Sequence, residues 1–251
     1  SVGFVNRPVV SGQFIFQNVS FKYPRTDSQV LNNISFSVNT GERIGIIGKI
    51  GSGKTTLGRV LTNLYSPTDG RVLINGIDAR QYHPAELRSG IAYVSQSVDL
   101  LSGTLKHNLK LANPYATDEE IIAASQRTGV DEFAMQHPRG YDLMVGERGS
   151  SLSGGQRQAV AMTRLLLARP KIVFLDEPSG ALDMATERML IGNLAKVFGP
   201  EVSLVISTHR YSLLELVDRL IVLDKGTVVA DGPKEKVLEA LKARASAAQA
   251  R

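Results

Sequence analysis

The chain has no cysteine among its 251 residues. Disulfide staples, thiolate catalysis and zinc–thiolate sites are therefore excluded, and the absence is compatible with a reducing cytosol. No apolar run approaches the ~18 residues that suggest a membrane span; the longest, such as Ile172-Val173-Phe174-Leu175, are the length of a strand. No signal peptide is visible at the N-terminus, which opens abruptly with Ser1 and no Met and reads as part of something longer. There is no internal repeat, and no low-complexity segment apart from an Ala-rich tail. The basic residues form no long run, so the formal net charge of +5 reads as solvated surface rather than a nucleic-acid footprint, and no nucleic-acid partner is expected.

What is present is ordinary globular composition, 43% hydrophobic and 21% charged. At ~150 residues per domain, the length fits one large domain or two lobes with a real core. Residues 13–23 read as a strand, and Ile34-Ser35-Phe36-Ser37-Val38 alternates as a half-buried strand should. After the turn Asn39-Thr40-Gly41-Glu42, a short buried strand over 43–47 feeds a glycine-rich loop, and a helix is expected from Lys54 through Leu61. Residues from about 84 to 136 look more helical; within them Thr117 as N-cap with Glu120 at N3 starts a helix that Gly129 ends. Another helix is expected over 154–168, and buried strands over 171–175 and 202–206. Closing strands are expected over 218–223 and 227–230, and a fraying helix from 235 to the end.

Two elements carry chemistry without reference to any relative. Gly48-Lys49-Ile50-Gly51-Ser52-Gly53-Lys54-Thr55 lies between a buried strand and a helix, the context a phosphate-binding loop requires. The N–H groups of Gly51, Ser52 and Gly53 can wrap phosphates only if side chains keep clear. Lys54 neutralises the β- and γ-phosphates, Thr55 ligates Mg²⁺, and Thr56, next on the helix, is counted with them among the nucleotide-binding residues. The second element is Leu175-Asp176-Glu177. A carboxylate just past a buried parallel strand lies at the sheet edge where ligands bind, so Asp176 is read as holding Mg²⁺ through water and Glu177 as polarising an attacking water.

Leu152-Ser153-Gly154-Gly155-Gln156 has a chance frequency on the order of a few in ten thousand at this length and composition. It resembles the signature motif of ABC ATPases, and the resemblance extends in order over residues 12–240. Tyr23 stands where such domains stack an aromatic on adenine, an interaction worth ~1–3 kcal/mol per base in nucleic-acid binders. Gln96 resembles the glutamine that senses Mg²⁺ and the γ-phosphate, Ala181-Leu182-Asp183 the loop that crosses the dimer interface, and His209 the switch histidine at the γ-phosphate. Many relatives have serine where Gly180 stands, which removes one hydroxyl from that loop but no phosphate or metal ligand.

The resemblance implies an α/β fold: a P-loop NTPase core with mixed sheet, an antiparallel β subdomain and an inserted helical subdomain. The expected organisation is a linker remnant over 1–12, the ATPase domain over 13–243 with its helical part at about 84–168, and a frayed tail over 244–251. It further implies a homodimer that sandwiches ATP between the phosphate loop of one subunit and Ser153, Gly154, Gly155 and Gln156 of the other, with Asp183 at the interface.

Phe21-Lys22-Tyr23-Pro24, the run 100–105 with Asn108, and Val145-Gly146-Glu147-Arg148-Gly149 are similar to exporter domains. The runs His137-Pro138-Arg139-Gly140-Tyr141-Asp142 and Gln156-Arg157-Gln158-Ala159-Val160-Ala161 are similar to bacterial type I protein-secretion ATPases. That subgroup implies a membrane-spanning domain in the same polypeptide, a periplasmic adaptor, an outer-membrane channel, and a place at the cytoplasmic face of the inner membrane. A peptide or lipid exporter is the nearest alternative. A soluble ABC protein acting on nucleic acid would lack Gly146-Glu147-Arg148, and a non-hydrolysing module would lose Glu177 or His209.

Overall fold

The computed structural model describes residues 3–95, 98–180 and 182–249. They form two compact units, one of residues 3–93, 171–178 and 200–249, the other of the described residues within 94–170 and 179–199.

The first unit contains two sheets. One is antiparallel, in the order β2 (Leu31–Val38), β1 (Phe14–Phe21), β4 (Asp69–Ile74), β5 (Ile77–Asp78). Alternation puts Phe14, Phe16 and Phe36 inside, where Phe16 stacks on Phe36 at 4.8 Å. The other sheet runs β10 (Thr227–Pro233), β9 (Arg219–Asp224), β3 (Arg43–Ile47), β8 (Ser203–Thr208), β7 (Ile172–Asp176), β6 (Ile91–Val94). β9, β3, β8 and β7 are parallel neighbours, and β10 is antiparallel to β9. Every residue of β7 and β8 is buried, as expected of central parallel strands. α1 (Lys54–Leu61) follows β3, α2 (Pro84–Gly90) precedes β6, and α8 (Lys234–Gln249) ends the described chain. α8 continues through residues expected to fray, in keeping with the helix propensity of its alanines.

Residues 3–12, read as a linker remnant, pack onto this unit. Val5 pairs with Tyr82, Val9 is buried against Gly90, and Asn75 Oδ1 accepts from the N–H of Val10 at 2.9 Å.

The second unit is helical: α3 (Leu105–Lys110), α4 (Asp118–Thr128), α5 (Val130–Gln136), α6 (Gly154–Ala168) and α7 (Met184–Val197). Thr117 and Glu120 form a reciprocal capping box at the start of α4, and Gly129 ends it. Leu105, Leu109, Ile121, Val130, Val145 and Val160 make the core. Asn108 is fully buried; its amide donates to the Leu101 and Thr104 carbonyls and accepts from Arg164, so an exporter-like residue serves here as a structural knot. The helical part expected at about 84–168 compares with the described unit at 94–170 and 179–199, because α7 joins it while α2 packs with the sheets.

Candidate functional site

The loop between β3 and α1 is shaped for an anion. Gly53 precedes α1 in a left-handed conformation, φ 107°, and makes no side-chain cap, so the first N–H groups of the helix have no intrahelical or capping partner. An added Cβ at Gly51 would meet nothing within 4 Å, whereas one at Gly48 would strike the Leu223 carbonyl oxygen. Lys54 is buried and folds back to donate to the carbonyls of Gly48 (2.7 Å) and Lys49 (3.1 Å). Ser52 Oγ is buried without a hydrogen-bond partner. The Ser52 N–H donates within the loop to the Lys49 carbonyl at 3.0 Å, while the open N–H donors of the first helical turn, an orphaned hydroxyl and an ammonium fit a polyphosphate. Ile50 is 91% exposed at the loop tip.

The end of β7 supplies the carboxylates. Asp176 Oδ2 accepts from Thr55 Oγ1 and from the Tyr93 hydroxyl, each at 2.8 Å, and Oδ1 accepts from Ser207 Oγ. The hard oxygens of Thr55 and Asp176 fit Mg²⁺, which is commonly held by one or two protein oxygens plus substrate phosphates. No group of three or more His, Cys, Asp or Glu able to hold a metal occurs among the described residues. Gln96, the other expected metal-sensing residue, lies outside the described residues, as does Ala181.

Glu177, the next residue, has φ 48°, a left-handed conformation uncommon for a side chain of this size. This turns it away from the Asp176 cluster. Its N–H donates to the Ser207 carbonyl at 2.9 Å, and its Oε1 lies 2.9 Å from His209 Nδ1. An ionised carboxylate only accepts, so with Glu177 charged Nδ1 carries the proton.

Tyr23 is packed edge-on against Phe21 (5.0 Å) and Tyr65 (5.3 Å). Its hydroxyl bonds Thr56 Oγ1 at 2.9 Å and accepts from Arg59 at 3.2 Å, and that bond raises the Arg59 pKa above its usual range. The ring is therefore fixed beside α1.

In the second unit, Ser153 caps α6: its Oγ accepts from the N–H of Gln156, and Gln156 Oε1 accepts from the N–H of Ser153. Ser153, Gly154, Gly155 and Gln156 line a cavity of about 620 Å³ together with Leu182, Asp183 and Thr186. Asp183 also caps α7, accepting from the N–H groups of Ala185 and Thr186 and from Thr186 Oγ1. The Thr186 hydrogen bonds hold its carboxyl below the usual carboxylate range. Glu147 and Arg148 lie on an exposed turn, with Arg148 at φ 51°.

The phosphate loop, Thr55, Asp176, Glu177 and His209 are thus gathered within one unit, and the signature residues and Asp183 within the other. Tyr93 and Ser207, which hold Asp176, belong to no sequence motif.

The sequence profile of the family described as ABC transporter matches residues 31–180. The chain belongs to the ABC transporter family. It is an ATPase domain of that family. It is 37% identical over 235 residues to the leukotoxin export ATP-binding protein LtxB of Aggregatibacter actinomycetemcomitans, a match covering 94% of this chain and 33% of that protein. To the putative multidrug export ATP-binding/permease protein YgaD of Bacillus subtilis it is 36% identical over 230 residues, covering 92% and 40%. The solved structure of a bacterial Atm1-family ABC exporter with ATP bound superposes with a TM-score of 0.87 at 34% identity, covering 99% of this chain and 44% of that one. The chain therefore spans about a third to two-fifths of the length of these curated relatives. No helix among its described residues is long and apolar enough to cross a membrane.

Proposed function

We propose that two copies of this ATPase domain close around two ATP molecules and power export by a membrane-spanning part of a longer polypeptide, with a protein as cargo. The observation that carries the reading is at the end of β7, where Asp176 is bound to Thr55 of the phosphate loop and Glu177 to His209. Adjacent carboxylates with separate partners can divide two tasks, metal positioning and water activation.

The N–H groups of residues 51–53 and the Lys54 ammonium bind the phosphates. Thr55 and Asp176, with Gln96, would hold Mg²⁺, which when bound neutralises phosphate charge. Glu177 orients and deprotonates the attacking water, and His209, anchored by Glu177, holds that water and the γ-phosphate in line. Tyr23 carries the adenine. Ser153, Gly154 and Gly155 of the second copy complete the phosphate shell, and Gln156 and Asp183 brace it. Catalysis by such an arrangement is positioning plus charge stabilisation. Hydrolysis places new charge between the copies and removes the bridge.

The export assignment is supported by the LtxB likeness and by the exposed Glu147-Arg148 turn as a contact for the membrane part. A periplasmic adaptor and outer-membrane channel follow for a type I secretion system, with this domain on the cytoplasmic face of the inner membrane. The 36% identity to YgaD favours a second reading, export of small molecules. Loss of one protein from the culture medium when Glu177→Gln replaces the native residue distinguishes the first reading from the second.

The sandwich is tested by turnover against dilution. ATPase rate per subunit is expected to rise with protein concentration and level off once dimers dominate. A rate per subunit independent of concentration from nanomolar to micromolar protein refutes a site shared between copies.

A further inference from the structure

Asp176 is 6% exposed and occupied on both oxygens, yet each of the three groups holding it is a neutral hydroxyl. Its negative charge therefore remains available to a cation. Thr55 and Tyr93 donate to the same oxygen, Oδ2, each at 2.8 Å. A threonine hydroxyl that gives its proton to a carboxylate keeps its lone pairs for a metal. The orientation of Asp176 therefore decides which way the Thr55 oxygen presents itself.

Tyr93 is built into this position. Its ring stacks on Phe174 of β7 at 5.6 Å. On the helix side it lies against Gly58 of α1, where an added Cβ would come within 2.6 Å of Tyr93 Cε2. Glycine at that point lets the aromatic ring fit between α1 and β7, the two elements that carry Thr55 and Asp176. A phenol keeps its proton at neutral pH, so the Tyr93 hydroxyl donates to the Asp176 carboxylate.

We propose that Tyr93 is a positioning residue for Mg²⁺: its hydroxyl fixes the Asp176 carboxylate so that Oδ2 accepts the Thr55 hydrogen bond and the Thr55 oxygen is turned to the metal. Tyr93 itself touches neither nucleotide nor metal. The inference rests on the reading of Thr55 and Asp176 as the Mg²⁺-holding pair. Groups that orient a metal's ligands are worth about 10–100-fold in metal affinity.

The test uses Tyr93→Phe, which keeps the ring and its stacking and removes one oxygen. Mn²⁺ serves as the probe, its binding followed by electron paramagnetic resonance at saturating ADP, so the readout is independent of turnover. Mn²⁺ affinity is expected to fall about 10–100-fold, while nucleotide affinity measured by calorimetry in EDTA stays unchanged. Adding Tyr93→Phe to Asp176→Asn is expected to cost no further affinity, since the first acts through the second. Unchanged Mn²⁺ affinity in Tyr93→Phe overturns the proposal, as does full additivity of the two substitutions. Failure of the underlying reading looks different: Asp176→Asn alone would then leave Mn²⁺ binding intact. A purely structural tyrosine would lower the melting temperature without moving Mn²⁺ affinity at saturating ADP.

Discussion

Glu177→Gln is expected to cut steady-state ATP turnover by roughly a hundredfold or more, the scale of a lost general base, while an ATP-bound dimer accumulates. The amide matches the carboxylate in shape, and its oxygen can still accept from His209 Nδ1, now 2.9 Å from Glu177 Oε1. The Asp176 cluster and the phosphate loop are untouched, because Glu177 contributes to neither. What is lost is basicity at the water. Nucleotide should therefore bind and bridge two copies without being consumed. Turnover assays paired with light scattering in Mg-ATP read both consequences. Near-normal turnover, with no dimer accumulating, would refute Glu177 as the base.

Lys54→Ala is expected to weaken ATP binding by on the order of a hundredfold, since a charge-assisted hydrogen bond contributes about 1.5–3 kcal/mol. The ammonium already stands in the loop, on the Gly48 and Lys49 carbonyls. Alanine removes the cation and leaves those two carbonyls without their partner. The loss should be larger for ATP than for ADP, because the lysine is assigned to the β- and γ-phosphates. Calorimetry with both nucleotides, at matched melting temperature, separates loss of charge from loss of fold. Equal affinities for wild type and variant would mean that the loop does not bind the polyphosphate.

Legibility in the sequence followed the locality of each signal. α1 begins and ends where the glycine loop and apolar spacing put it, at Lys54 and Leu61, because strand, loop and helix are consecutive. The Thr117–Glu120 box was readable for the same reason. β4 is announced by Asn75-Gly76 after it, a strong hairpin signal, but Asp69-Gly70 at its start is turn-like and blurs the strand. Asp183 carries two signals at once, since the residue that resembles an interface aspartate also caps α7 with its carboxylate. The strand order of the larger sheet, and the meeting of Tyr93, Thr55 and Ser207 on Asp176, depend on pairings between segments far apart in sequence. No local pattern encodes them.

The backbone at Glu177 sets stability against turnover. With φ at 48°, glutamate occupies a conformation that Gly or Asn adopts more readily, by roughly 1 kcal/mol. A selection scored on folding alone, such as protease survival of a displayed library, would therefore drift from the acid at this position. The enriched variants would be sturdier and inert. Any thermostable descendant of this domain that retains turnover must find its gains at other positions.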